Sequence, residues 1–226
     1  MSSQSSMPAR EAVPTSDHAP SAPSPSIADP GPLGLAGFAM TTFVLSVFNT
    51  NMIDGALGGS VLALAVFYGG IAQLLAGMWE FRKGNTFGAL AFSSYGAFWL
   101  SYYWLVHDIL GNLQPADQVY KAVGLYLLAW TIFTAYMTIA AMRTNGAVLA
   151  VFVTLTLTFL FLTIGEFAKN TGIHKFAGWL GIITALLAWY ASFAGVTNST
   201  WGKTVMPTWP LANAGRIPRS RPAVSD

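Results

Sequence analysis

The chain has 226 residues, of which 54% are hydrophobic and 9% charged, with a formal net charge of +2. Soluble domains carry about 25% charged residues, so this composition cannot easily build a water-facing surface and points to a membrane protein. The absence of cysteine excludes disulfides, thiolate metal sites and cysteine nucleophiles, and a charge of +2 is too small to argue for nucleic acid.

Residues 1–32 contain eight serines and seven prolines without apolar periodicity. Such a segment cannot bury enough surface to offset its ordering entropy, so it reads as a disordered cytoplasmic tail. No apolar core precedes a small-residue cleavage site, and a secretory signal is not expected.

Six apolar runs follow, at about Leu33–Ile53, Val61–Trp79, Phe87–Val106, Ala122–Met142, Ala147–Phe167 and Phe176–Val196. Each is close to the ~20 residues that a helix rising ~1.5 Å per residue needs to cross ~30 Å of hydrocarbon. Gly55–Trp79, Phe87–Val106 and Ala122–Met142 carry no charge, and a charge at mid-helix costs about 2.5–3.5 kcal/mol on insertion scales. Of the twelve prolines, only Pro115 lies within 33–206, and it falls in a loop. The expectation is an all-α integral membrane protein with a six-helix domain over 33–200 and a cytoplasmic C-terminal tail over 201–226. In lipid, helices satisfy their own backbone groups.

Orientation follows from the connectors. With the N-terminus inside, the cytoplasmic segments hold Arg10, Arg82, Lys83, Arg143, Lys203, Arg216, Arg219 and Arg221, against Lys121, Lys169 and Lys175 outside. Both ends are therefore expected inside, even when the last three arginines are discounted for their distance from the final helix. Ala65/Gly69 and Ala72/Ala76 have small-xxx-small spacing, which suits close helix packing. Trp79, Trp104, Trp179 and Trp201 read as interfacial anchors.

Little in this pattern suits catalysis. His18, His107 and His174 lie in the tail and in loops, and no pair shares a helix face, so neither a haem nor a zinc site is expected. No lysine lies within a span to form a Schiff base, no phosphate-binding loop is present, and no histidine or lysine stands ready to activate a serine. What remains is uncharged: Thr41, Thr42, Ser46 and Asn49 in the first span, Tyr68 and Gln73 in the second, Ser93, Ser94, Tyr95 and Ser101 in the third. The fifth adds Thr154, Thr156, Thr158 and Thr163. Many hydroxyls can bond back to their own helix, but an amide such as Gln73 needs partners. Together they suggest a narrow polar path that selects by hydroxyls, amides and backbone dipoles. In the loop Glu80-Phe81-Arg82-Lys83-Gly84-Asn85-Thr86-Phe87, Asn85 or Thr86 is placed to cap the third helix. Glu80 reads either as part of a solvated ion pair or as a residue for protonation or gating. Glu166, at the outer end of the fifth span, is a weaker candidate for proton handling.

The segment Asp29-Pro30-Gly31-Pro32-Leu33-Gly34-Leu35 resembles the Asn-Pro-Ala-Pro-Leu-Gly-Leu signature of the acetate uptake transporter family, the YaaH-type succinate–acetate permeases. The similarity continues through Phe67-Tyr68-Gly69-Gly70-Ile71-Ala72-Gln73, Lys83-Gly84-Asn85-Thr86-Phe87-Gly88, Ser94-Tyr95-Gly96, Phe98-Trp99, Ala177-Gly178-Trp179 and Trp201-Gly202-Lys203-Thr204-Val205-Met206-Pro207. It departs at Asp29 and Gly31. Aspartate accepts a capping bond as asparagine does, but it cannot donate one, and it adds negative charge at a mouth that should admit anions.

The resemblance implies six helices around a central pore, as in the acid-activated urea channels. It also implies assembly as hexamers in the plasma membrane and movement of acetate, and in some members succinate, or of similar small monocarboxylates, with protons and without a cofactor. A constriction of phenylalanine, tyrosine and leucine would fall on Phe38, Tyr95 and Leu155, with Thr41, Thr42, Asn49, Gln73 and Ser94 lining or supporting the path. In the expected topology their spans all run from inside to outside, which puts the three residues at depths of roughly 8, 12 and 12 Å. A passive channel for urea, ammonia or formate, and a membrane scaffold whose tails bind partners, are the alternatives.

Overall fold

The computed structural model describes residues 27–211, so the tails expected at 1–32 and 201–226 lie largely outside the described residues. Helices dominate: α1 (Gly31–Asn49), α2 (Val61–Val66), α3 (Gln73–Lys83), α4 (Thr86–Trp104), α5 (Val119–Ala141), α6 (Gly146–Phe167) and α7 (Thr171–Trp201). A π-helical turn, Phe67–Ala72, joins α2 to α3, and with the 3-10 turn at Gly55–Ser60 they make one rod, Gly55–Lys83. The result is six rods. Five are long and apolar enough to cross a membrane. The sixth, α4, has 19 residues but includes Ser93, Ser94, Tyr95, Ser101, Tyr102 and Tyr103.

The rods form a ring in chain order. α1 packs on the α2–α3 rod and, most extensively, on α7; α3 packs on α4, α5 on α6, and α6 on α7, with a lighter α4–α5 contact closing the circle. Close approach needs small residues at two of these seams. A Cβ on Gly37 would lie 2.6 Å from the Tyr68 carbonyl oxygen in the π turn, and one on Gly178 would lie 2.7 Å from the Thr50 nitrogen. In lipid, helix association depends on such contacts. The ring's outer face exposes Phe67, Trp79, Trp104, Leu125, Ile132, Ile139 and Trp201, as a surface facing hydrocarbon does.

Helix ends have local causes. Asn85, Asn145 and Asn170 cap α4, α6 and α7 by accepting backbone N–H bonds at 2.9–3.2 Å. The first span stops at Asn49, short of the expected Ile53, because Thr50 turns its hydroxyl onto the Val47 carbonyl and Asn51 adopts a φ of 59°. The last runs from Thr171 to Trp201, well past the expected 176–196, and ends where Gly202 enters the left-handed region at φ 63°. Beyond it the chain does not leave the bundle. Asn198 accepts from the Val205 and Met206 nitrogens and donates to the Met206 carbonyl. The Thr208 and Trp209 carbonyls then take the free N–H groups of Ala147 and Gly146 at the start of α6.

Candidate functional site

Three cavities follow one another through the ring and share walls. The largest, about 480 Å³, opens at the end where α1 begins and α7 finishes. Asp29, Gly31, Pro32 and Leu35 of the signature form one wall; Glu80, Lys83, Asn85 and Phe87 form another, and Asn145, Asn198 and Thr208 complete it. Pro30, the α1 N-cap, is buried and accepts the Gly34 N–H at 3.1 Å. Gly34 packs under the Phe92 ring, whereas Leu33 points outward. The Pro32 carbonyl accepts from Ser192 at 2.7 Å, which ties the signature to α7.

Glu80 is not in a solvated ion pair, contrary to one of the two readings of its loop. It is 1% exposed, because the last turn of α3 folds under the start of α4. Its Oε2 accepts from Asn85 Nδ2 at 2.9 Å and lies 3.9 Å from Lys83 Nζ. Lys83 instead reaches Asp29, at 2.7 Å. Asn85 thus binds Glu80 with its amide nitrogen while its oxygen caps α4.

Leu35, Ala91, Phe92 and Phe152 are shared between this cavity and a second of about 20 Å³. Phe38, Tyr95 and Leu155 meet there, together with Gln73 and Val151. A space of that size holds about one water. The Phe38 and Tyr95 ring centroids are 5.7 Å apart, and Phe152 stands 6.1 Å from Tyr95. Gln73 is 1% exposed and its Oε1 has no hydrogen-bond partner among the described residues; α3 begins at this residue, just after the π turn. The Tyr95 hydroxyl is engaged with Thr134 at 2.9 Å, so a hydrogen bond from it to a passing carboxylate has a competitor on α5.

Phe38 and Leu155 also border the third cavity, about 170 Å³, which reaches the opposite end of the ring. Its walls are mainly apolar and aromatic, with Thr42, Ser46, Asn49 and Thr158 among them, and Glu166 and His174 stand at its mouth, 3.2 Å apart. Two buried polar atoms of this lining, Thr42 Oγ1 and Trp99 Nε1, have no hydrogen-bond partner among the described residues. Buried donors without partners are uncommon and call for an explanation.

Two of the residues expected to line or support the path border none of the three cavities. Thr41 is fully buried, donates to the Gly37 carbonyl at 2.9 Å and packs against Gly69; Ser94 lines none of the three cavities. The threonines of α6 also differ from a polar path. Thr154, Thr156, Thr158 and Thr163 each donate to the carbonyl four residues back. Thr156 and Thr163 meet Thr138 and Thr131 of α5, at 2.8 and 3.0 Å, and Thr158 meets Thr184 of α7 at 3.4 Å. Thr156, Thr158 and Thr163 join helices, Thr154 bonds only within α6, and of the four Thr158 alone lines one of the three cavities. Thr134, Phe152 and Phe159 had no signal in the sequence, since each sits in an apolar run without a motif. Trp99 did have one, the Phe98-Trp99 pair.

The sequence matches the family described as GPR1/FUN34/yaaH over residues 13–213. It is 40% identical over 200 residues to the Saccharomyces cerevisiae protein named accumulation of dyads protein 2, covering 87% of this chain and 71% of that one. It is 42% identical over 181 residues to the succinate-acetate/proton symporter SatP of Escherichia coli K12, covering 80% and 95%. A solved structure described as the bacterial acetate channel SatP superposes with a TM-score of 0.76 at 42% identity, over 81% of this chain and 99% of that one. With the ring of helices and its signature in place, these matches assign the chain: it belongs to the GPR1/FUN34/yaaH family.

Proposed function

We propose that the protein transports acetate, and with it the dicarboxylate succinate or small monocarboxylates, across the plasma membrane together with protons. The supporting observation is the series of cavities through one chain: the small one, where Phe38, Tyr95 and Leu155 meet, shares Phe38 and Leu155 with the cavity on one side and Leu35, Ala91, Phe92 and Phe152 with the larger cavity on the other. In this reading Phe38, Tyr95 and Leu155 are the constriction. Phe38 and Leu155 make an apolar neck that sheds water and limits solute size. Gln73 serves the path at the neck, and Thr42 and Asn49 beside it, Gln73 and Thr42 through polar atoms that are unpaired among the described residues. A carboxylate losing water in the neck takes up a proton more readily, since desolvation disfavours its charged form.

Glu80 is the buried carboxyl of the larger cavity, and we assign it to proton handling. Replacement by glutamine keeps an acceptor for Asn85 and removes the titratable group. Gradient-driven accumulation should fall in Glu80→Gln while acetate exchange persists; unchanged accumulation would remove the assignment. The larger cavity faces the cytoplasm, in keeping with the basic connectors on that side, and the protein assembles as a hexamer with one path per subunit, as the resemblance implies.

Labelled-acetate uptake into proteoliposomes, with and without an imposed inward proton gradient and against empty liposomes, is the test. Concentration of acetate above the passive acid distribution supports symport, the activity named for the Escherichia coli relative. Protein-dependent equilibration without accumulation supports the second reading, a channel, as the solved relative is described. No protein-dependent flux rejects both.

A further inference from the structure

We propose that Lys83 docks the substrate's carboxylate in the large cavity, and that Asp29 is a tethered competitor occupying it until substrate arrives. The proposal rests on the transport reading above and concerns the mouth on the side of the termini, whichever compartment that side faces.

Lys83 is the sole basic side chain among the described residues lining this cavity. Among the described lining residues, an anion entering here has one cation to meet. In this structure its ammonium is taken by Asp29 Oδ1 at 2.7 Å. The aspartate side chain is a methylene carrying a carboxylate, which is acetate attached to the backbone, so it makes the contact that the solute itself would make. Its position is set by the chain: the same Oδ1 accepts the Gly31 N–H at 2.9 Å, at the first turn of α1.

Glu80 does not fill this role. It lies 3.9 Å from Lys83 Nζ, and its nearer oxygen already accepts from Asn85. The Asp29–Lys83 pair differs from it in exposure, with 36% of the lysine side chain and 49% of the aspartate side chain open to solvent. An exposed pair of this kind is weakly held and open to exchange with a dissolved anion. Aspartate stands where the signature it resembles carries asparagine. Asparagine would keep the oxygen that holds Gly31 and give up the charge that holds Lys83. Residue 29 thereby sets how freely the lysine can accept substrate.

The experiment measures concentration-dependent uptake of labelled acetate in proteoliposomes selected for the terminus-bearing face outward. It compares the wild type with D29N, K83M and D29N/K83M at fixed pH and ionic strength. D29N should lower KM by about twofold to fivefold, the range an exposed ion pair spans, with little change in maximal rate. K83M should raise KM, and D29N should have no effect in the K83M background. K83R serves as a second variant that keeps the charge and should keep the response to D29N. An unmoved KM in D29N overturns the proposal. So does an equal fall in KM with and without Lys83, which would assign the effect to net charge at the mouth. Wild-type liposomes without flux would instead reject the transport reading, and docking with it.

Discussion

The Tyr95 hydroxyl donates its proton to Thr134. With the threonine's own proton assigned to the Trp130 carbonyl at 2.8 Å, the tyrosine is the donor in the 2.9 Å contact between the two hydroxyls. The ring thus faces the neck while its polar end is held by α5, and Tyr95 acts on the path chiefly through its ring.

Removal of that hydroxyl should accordingly cost stability more than transport. Tyr95→Phe is expected to lose about 1 kcal/mol of stability and to keep acetate uptake within about twofold of wild type, a change of under about 0.5 kcal/mol. Thermal unfolding in detergent and initial uptake rates measure the two effects. A tenfold loss of uptake with the stability intact would mean that the hydroxyl contacts the solute.

Leu155 borders both cavities that meet at the neck. Leu155→Ala should therefore shift selectivity towards longer monocarboxylates, with the ratio of butyrate to acetate uptake rising severalfold. Deleting a buried leucine side chain costs about 2–5 kcal/mol of stability, towards the lower end where a void already adjoins it. Competition of unlabelled acids against labelled acetate reads the selectivity; an unchanged size limit would remove Leu155 from the constriction.

Thr42 separates a structural role from a functional one. Among the described residues its Oγ1 makes no bond that valine would break, so Thr42→Val is expected to leave the melting temperature unchanged or raise it. Acetate uptake should nonetheless fall by about fivefold, the worth of roughly one neutral hydrogen bond. A variant with wild-type flux would show that the unpaired hydroxyl is not used by the solute.

Asn198 makes the opposite case. Three hydrogen bonds join it to Val205 and Met206, and the segment they hold supplies carbonyls to Gly146 and Ala147. Asn198→Ala should lower stability by about 1–3 kcal/mol. Proteolysis between Gly202 and Leu211 should quicken correspondingly, since the segment would lose its anchor on α7. Unaltered cleavage there would mean that the α6 contacts suffice.

The sequence by itself determined the all-helical membrane class, since hydrocarbon tolerates neither charge nor unpaired backbone over ~20 residues. It also exposed the signature, because two prolines and closely spaced glycines stand out against an apolar background, and a cap for the third helix at Asn85 or Thr86, because capping is a local bond. Only the tertiary structure decided which hydroxyls face a cavity and which join helices. Thr41 and Thr42 are neighbours in sequence, yet one packs against Gly69 and the other borders the cavity at the end of the ring opposite the signature, a difference that depends on what lies across the helix. It likewise decided that Glu80 is buried beneath α4 while Lys83 turns to Asp29, a residue 54 positions away, and that the segment after Gly202 closes on α6. Membrane insertion is governed by composition along one helix, whereas pairing and burial of polar groups depend on chain segments that only packing brings together.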